Sequence, residues 1–254
     1  FRKPLLTDID PEIKALRDML MSSERITAFT GAGISTESGI PDYRGPNGVW
    51  TKITPIDFSE FMNSEEKRRE SWRQKLSGGQ RMAHAQPNTG HQGCATLYRM
   101  GRLQTVITQN VDGLHQKAGL PEENVIELHG NSNYATCLSC GKRYEIDEVR
   151  ALFLPDETVP YCSCGGPIKT ATISFGQSLS RDVLEAAENA ARNCDLMLVM
   201  GSSLVVYPAA LLPQMARQLG AKLVIINNQE TDLDPLCDLV LNRQIGPTLS
   251  AALD

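Results

Sequence analysis

The stretch Leu196-Met197-Leu198-Val199-Met200-Gly201-Ser202-Ser203, followed by Lys222-Leu223-Val224-Ile225-Ile226, decides the fold. Each apolar run is short and uninterrupted, the pattern of a parallel strand covered on both faces. Between them, Pro208 to Leu219 reads as a helix closed by Gly220. Strand, crossover helix and returning strand make a βαβ unit. Three further runs have the same form and also break into glycine or small polar residues at the carboxyl end. They are Arg25 to Thr30 into Gly31-Ala32-Gly33, Thr105 to Thr108 into Gln109-Asn110-Val111-Asp112, and Val125 to Leu128 into His129-Gly130. The Lys222 to Ile226 run ends likewise, in Asn227-Asn228-Gln229. In open α/β sheets ligands lie beyond the carboxyl ends of the strands, so five loops are expected to converge on one crevice.

The expected fold is therefore α/β, a Rossmann-like parallel sheet flanked by helices, with a smaller zinc-binding and helical module. Segments 1–45, 88–130 and 170–254 carry the sheet pattern; 46–87 is helical and charged, and 131–169 holds two close cysteine pairs. The last two segments are expected to form the small module. An opening helix is marked by Asp10 as cap, Pro11 at the first helical position, and Ile13, Leu16 and Leu20 on one face.

Hydrophobic residues at 41% and charged residues at 22% suit a soluble enzyme, and no apolar run approaches the roughly 20 residues of a membrane span. A net charge of -5 speaks against non-specific nucleic-acid binding, and the basic Lys67, Arg68 and Arg69 are offset by Glu65, Glu66 and Glu70. The expectation is a monomer that engages neither nucleic acid nor membrane. The chain starts at Phe1, which suggests a trimmed start, and no signal-like stretch follows it.

Gly31-Ala32-Gly33 resembles the start of a dinucleotide fingerprint, in which glycines admit a pyrophosphate close to backbone amides. The third glycine is replaced by Thr36, and no acid follows at the usual distance, so an ordinary dehydrogenase is poorly supported. The run Gly31 to Ser35 with Ser38-Gly39-Ile40-Pro41-Asp42-Tyr43-Arg44 resembles the cofactor-binding loop of the sirtuin family. Thr108 to His115 resembles its nicotinamide-pocket motif, and Leu128-His129-Gly130 its catalytic histidine motif. Phe175-Gly176, Gly201 to Val205 and Pro208-Ala209-Ala210 resemble its substrate and cofactor loops. The matches keep the family's order from about residue 24 onward, and look most like the class that contains a mitochondrial member and many bacterial ones.

That resemblance implies an NAD-dependent protein-lysine deacylase. The acyl-lysine carbonyl oxygen would attack C1′ of the nicotinamide ribose, yielding free lysine, nicotinamide and O-acyl-ADP-ribose. It further implies the bacterial cytoplasm or the mitochondrial matrix as location, and acyl-lysine proteins or peptides as partners. The catalytic set would be His129, Asn110 and Asp112. An imidazole with an ordinary pKa of about 6.5 suits proton removal from a ribose hydroxyl, and Asn110 with Asp112 offers what a carboxamide needs. NAD would be held by Gly31, Ala32, Gly33, Ser35, Asp42, Tyr43, Arg44, Gln109, Asn110, Asp112, Gly201, Ser202, Ser203, Asn227, Asn228 and Gln229. In detail, Gln109 would meet the ribose, Tyr43, where the family commonly has Phe, would shield the reactive carbon, Arg44 would meet phosphate or ribose, and Asp42 would orient the loop.

Two segments, 172–176 and 204–207, resemble the edges between which sirtuins pin an extended substrate, with Ile173, Phe175, Gly176 and Val205 as substrate-binding residues. Members that prefer acidic acyl groups carry a Tyr-x-x-Arg pair in the helical insertion, and none occurs between residues 46 and 87. A neutral acyl group is expected.

Cys137-x2-Cys140 and Cys162-x-Cys164 supply four thiolates for one closed, structural zinc site, each pair followed by a turn glycine, Gly141 or Gly165. Charged residues such as Glu145, Asp147 and Glu148 fill the intervening loop, so little apolar burial is expected to hold its ends together without metal. Cys94, Cys194 and Cys237 read as small core residues, His84 as a surface residue, and His91 and His115 as helix-supporting ones. Two other functions remain open: transfer of ADP-ribose to a protein side chain at the same site, and a non-catalytic NAD or ADP-ribose sensor.

Overall fold

A computed structural model describes residues 10–45 and 48–254. Residues 1–9 and 46–47, which the expected division assigns to the sheet and the small module respectively, lie outside the described residues. In chain order the strands are β1 (Ile26–Thr30), β2 (Leu103–Thr108), β3 (Val125–Glu127), β4 (Gly130–Cys137), β5 (Arg143–Glu145), β6 (Ile168–Thr172), β7 (Leu196–Met200), β8 (Lys222–Ile226) and β9 (Leu239–Leu241). The helices are α1 (Pro11–Ser22), α2 (Phe58–Asn63), α3 (Glu65–His84), α4 (Thr89–Arg99), α5 (Leu114–Lys117), α6 (Ile146–Phe153), α7 (Arg181–Asn193), α8 (Leu211–Gln218) and α9 (Ile245–Leu253).

Six strands form a parallel sheet in the order β3-β2-β1-β7-β8-β9. The expected strands are all present, within one or two residues at their ends. The added edge strand β9 is only three residues long, and its run Leu239-Val240-Leu241 is too brief to stand out from a loop. Every residue of β1 and β7 is buried, because successive side chains feed opposite faces. Ile26, Ala28, Leu196, Leu198, Met200, Val224 and Ile226 pack on one side with Leu16 and Leu20 of α1, Leu97 of α4 and Leu249 of α9. Phe29, Met197, Val199, Leu223 and Ile225 pack on the other with Ala187 and Ala191 of α7 and Leu212 and Ala216 of α8. The result is a three-layer arrangement whose strand ends, not its faces, are left for a ligand.

Asp10 caps α1 by accepting from the Glu12 amide, with Pro11 inside the first turn, as expected. The crossover helix is shorter than expected. It begins at Leu211, because residues 207–210 form a turn in which Leu211 N–H reaches Pro208 O and Leu212 N–H reaches Ala209 O. It ends before Gly220, whose φ of +97° reverses the chain into β8.

The second sheet is antiparallel, in the order β5-β4-β6. Its apolar side meets α3 and α6: Trp72 and Leu76 from α3, Ala135, Val149, Phe153 and Ile168 form one buried cluster. Trp72 also donates through Nε1 to Ile168 O at 3.2 Å. Segments 46–87 and 131–169 thus share a core. This corrects the expectation of little apolar burial between the cysteine pairs: Val149 and Phe153 lie one helical turn apart on α6, a spacing the charged Glu145, Asp147 and Glu148 obscure. Lys67 and Arg69 pair with Glu70, Glu65 and Glu66 as expected of a solvated face, but Arg68 does not belong to it: it is half-buried and donates to Phe61 O, Met62 O and Tyr161 Oη. Among the described residues no helix is long and apolar enough to cross a membrane.

Candidate active site and zinc centre

The loops after β1 and β7 meet so closely that positions 31, 33 and 201 have room only for glycine. A Cβ on Gly33 would lie 2.7 Å from Gly201 Cα, and Gly201 itself has a φ of +65°. The Gly31 and Gly33 amides donate to Met200 O and Gly201 O, at 3.0 and 2.8 Å. These two N–H groups are therefore spent on joining β1 to β7 rather than left open to a phosphate. Residues 32–38 continue as a 3-10 helix, which Asn88 tethers by donating to Ile34 O at 2.7 Å and Ser38 Oγ at 2.9 Å.

Ser35, Asn110 and Asp112 form the buried floor of a small pocket. Ser35 Oγ donates to Asp112 Oδ2 at 2.7 Å; Asn110 Nδ2 donates to Gly31 O and Ser35 Oγ, each at 3.1 Å. Asp112 Oδ1 accepts the Leu114 amide at 2.9 Å, which starts α5. Both residues are nearly inaccessible, Asn110 at 6% and Asp112 at 4%, so their side chains are held rather than free to rotate. Ala32, Ile40, Tyr43, Met82 and Val111 line the same pocket. Burial, with the Asp112 carboxylate as the second cause, pushes the Tyr43 phenol above its ordinary pKa. Its hydroxyl stays protonated and able to donate.

His129 follows β3 and stands before Gly130, whose φ is +75°. Its Nδ1 lies 3.1 Å from Gln109 O. A carbonyl can only accept, so Nδ1 carries the proton and Nε2 is left as the bare, basic nitrogen. Desolvation lowers the His129 pKa, and the Gln109 contact works in the opposite sense. Gln109 Nε2 donates to Ser202 Oγ at 2.8 Å, so one residue links the His129 loop to the loop after β7.

Asp42 accepts the Gly45 amide at 2.9 Å and closes a turn in the loop that carries Tyr43 and Arg44. Arg44 is exposed, its guanidinium 4.3 Å above the Trp50 ring. Trp50 also contacts Tyr43 and Phe175, with centroids at 5.0 and 5.2 Å. Sequence reading did not single it out, although Gly48-Val49-Trp50 is an isolated aromatic just after the cofactor-loop motif. Ser203, Asn228 and Gln229 are exposed at the far strand ends; Asn227 is half-buried and donates through Nδ2 to Gln229 O at 2.8 Å.

Beside His129, Ile173 N–H donates to His129 O at 2.8 Å. Phe175, Val205 and Tyr207 are 45%, 50% and 64% exposed, large side chains left open to solvent in the segments 172–176 and 204–207. Leu204, between Ser203 and Val205, has a φ of +55°, a left-handed conformation that costs an L-residue about 1–3 kcal/mol. Gly176 has a φ of +75° and packs against Asp57, while the Phe58 amide donates to Phe175 O at 2.8 Å.

Cys137, Cys140, Cys162 and Cys164 place their sulfurs within 4.8 Å of one another. The Cys137–Cys164 and Cys140–Cys162 separations are 3.5 and 3.6 Å. A tetrahedron of Zn–S bonds of about 2.3 Å has an edge of about 3.8 Å, so the set fits one zinc ion with no position left over. The one-residue spacing at Cys162 still brings its sulfur in. Tyr144 Oη donates to Cys162 Sγ at 3.0 Å and Ser139 N–H to Cys137 Sγ at 3.4 Å, contacts that favour thiolates. Gly141 and Gly165 have φ of +74° and +85°, as turns after the pairs require. Cys94 is wholly buried, Cys194 nearly so and Cys237 half-buried, all away from this cluster.

Comparison with known proteins agrees with this geometry. The model of the Sir2 family matches residues 31–208. The chain is 49% identical over 238 residues to an NAD-dependent protein deacetylase of Rhodopseudomonas palustris, covering 93% of this chain and 94% of that one. It is 48% identical to NAD-dependent protein deacetylase 1 of Bradyrhizobium diazoefficiens, covering 96% of each. Its fold is similar to a solved structure of Sir2 with a p53 peptide and NAD+, at a TM-score of 0.85 and 38% identity over 95% of this chain and 97% of that one. With the family match spanning most of its length, the strand-end pocket and the four-cysteine centre mark this chain as a member of the Sir2, or sirtuin, family.

Proposed function

We propose that this protein is an NAD-dependent protein-lysine deacylase that acts on neutral acyl groups and releases nicotinamide and O-acyl-ADP-ribose. The observation that carries the reading is the tautomer of His129: its Nδ1 proton is committed to Gln109 O, which leaves Nε2 able to accept a proton. NAD supplies the glycosidic carbon and the nicotinamide leaving group. Asn110, Asp112 and Ser35 offer hydrogen-bonding groups to the carboxamide from a floor whose side chains hold one another. His129 Nε2 takes the proton from a ribose hydroxyl as the acyl group moves to it. Tyr43 and Trp50 cover the pocket with aromatic surface and keep water from the reacting carbon.

An extended acyl peptide would lie between residues 172–176 and 204–207, gaining main-chain bonds from the two edges and apolar contact from Phe175 and Val205. The lack of a Tyr-x-x-Arg pair between residues 46 and 87 favours a neutral acyl chain. We also read 46–87 and 131–169 as one module, supported by their common core, with the zinc holding the loop ends. The metal's chemistry is structural: four thiolates leave no position for water or a substrate oxygen. The same pocket would serve ADP-ribose transfer to a protein, but the exposed Phe175, two residues beyond the Ile173 whose amide bonds His129 O, favours a peptide in the groove. A panel of lysine peptides with different acyl groups, assayed for NAD-dependent nicotinamide release, tests the proposal. Release with acetyl and no release with succinyl peptide is expected; no release with any peptide refutes it.

A further inference from the structure

Behind the pocket floor, buried side chains from β1, β2, α4 and α5 form one polar row. Thr30 and Thr108 are paired residues at the ends of adjacent strands, and Thr30 Oγ1 donates to Thr108 Oγ1 at 2.8 Å. The same Thr108 oxygen accepts the Asn110 amide at 3.0 Å. That contact spans two residues, the spacing at which a threonine hydroxyl turns the end of a strand into a loop. On its other side Thr30 Oγ1 meets His115 Nε2 at 3.0 Å. With the Thr30 hydroxyl donating to Thr108, Thr30 Oγ1 accepts from His115 Nε2–H, and His115 Nδ1 bears a lone pair.

His91 mirrors this arrangement. Its Nδ1 accepts the Asn88 amide at 3.3 Å, so its proton sits on Nε2. The two imidazoles stand edge to face with centroids at 4.9 Å, and neither His91 Nε2 nor His115 Nδ1 has a hydrogen-bond partner among the described residues. One is a donor and the other an acceptor, the assignment that two neutral rings have. Burial lowers both pKa values, that of His91 to about 4. Thr30, Thr108, His91 and His115 are at most 3% exposed.

We propose that His115, acting through Thr30 and Thr108, is the positioning residue that sets where Asn110 meets the nicotinamide carboxamide. The loop from Gln109 to Gly113 is clamped to β1 at both ends: at Thr108 by the threonine pair, and at His115 by the imidazole. Asn110 takes its backbone orientation from the first clamp, and its side chain then reaches Gly31 O and Ser35 Oγ. The proposal rests on the reading of Asn110 as a nicotinamide-pocket residue.

The test compares Thr108→Val, which keeps the shape and loses the hydroxyl, with Thr108→Ser, which keeps the hydroxyl, and with Asn110→Ala. Each full-length protein is assayed with acetyl-lysine peptide and NAD for kcat, peptide KM, half-inhibiting nicotinamide concentration and thermal unfolding. Thr108→Val should lower kcat and raise the half-inhibiting nicotinamide concentration, each by about tenfold, the scale of one lost hydrogen bond, with peptide KM within about twofold. Thr108→Ser should restore both. His115→Phe should follow Thr108→Val, and decides the matter on the same readouts if Thr108→Val does not fold. Wild-type nicotinamide inhibition in Thr108→Val, with inhibition lost in Asn110→Ala, overturns the positioning role and leaves the pocket reading intact. Equal losses in the Val and Ser variants that track thermal stability also overturn it. Unchanged inhibition in Asn110→Ala overturns the pocket reading itself.

Discussion

Replacing Gly130 by Ala adds one methyl group where the structure has no space for it. An ideal Cβ there would lie 2.0 Å from Ala171 O, 3.1 Å from Ala171 C and 3.2 Å from Thr172 Cα, all backbone atoms of β6. None of them can swing aside as a side chain would, so the strands must part by about an ångström. The φ of +75° adds a left-handed penalty of about 1–2 kcal/mol for an L-residue, and overpacking adds about 1–3 kcal/mol. A loss of about 2–5 kcal/mol is large against the ~5–15 kcal/mol that holds a domain. The functional cost follows from connectivity: β6 runs into Ile173, whose amide is bonded to His129 O, so the proposed base and the proposed groove edge move together. A misplacement of about 1 Å costs roughly a hundredfold in rate. Denaturant unfolding and nicotinamide release from an acetyl-lysine peptide measure both effects. A variant within about 0.5 kcal/mol of wild type in stability and threefold in kcat/KM would refute the reasoning.

The lowered pKa of His129 places the acid limb of kcat/KM below pH 6.5, with rate rising as the imidazole loses its proton and level above; a limb centred above pH 7 would contradict it. His91 and His115 are held neutral in the fold, so the unfolded chain takes up protons first as pH falls below about 6.5. Stability should therefore decline from there toward pH 4, and His91→Asn should remove about 2 kcal/mol of the decline between pH 7 and pH 5, measured as the difference from wild type with zinc in excess. An identical decline in the variant would show that His91 titrates normally. Chelation should remove one zinc per chain and cause parallel loss of activity and of small-module structure, although the Trp72 and Phe153 core should retain part of its helix signal. A Cys164→Ala variant that keeps both metal and thermal stability would count against the four-cysteine site.

The central sheet was legible because β1, β7 and β8 are buried on both faces and so read as unbroken apolar runs. β9 and the small-module core were not, because three residues carry no period and because Val149 and Phe153 sit among charges. Individual site residues stood out where a strand end meets a polar cluster, as at Asn110, Asp112 and His129. What makes them act together was hidden. Gln109 O fixing the His129 tautomer, Asn88 tethering Ile34, and Trp50 joining Tyr43 to Phe175 are contacts across long sequence distances. The glycines of residues 31–33 were found for a different reason from the one the structure supplies, since their amides face β7.

The fate of the acyl group decides most directly whether this protein is a deacylase. Wild-type protein, acetyl-lysine peptide and NAD are incubated and the products separated by mass, alongside His129→Ala. Free lysine peptide, nicotinamide and O-acetyl-ADP-ribose are expected in equal amounts from wild type, and no O-acetyl-ADP-ribose from the variant, which should still fold and bind NAD. Nicotinamide release with the ADP-ribose found on a protein side chain, or full turnover by His129→Ala, would contradict the deacylase reading.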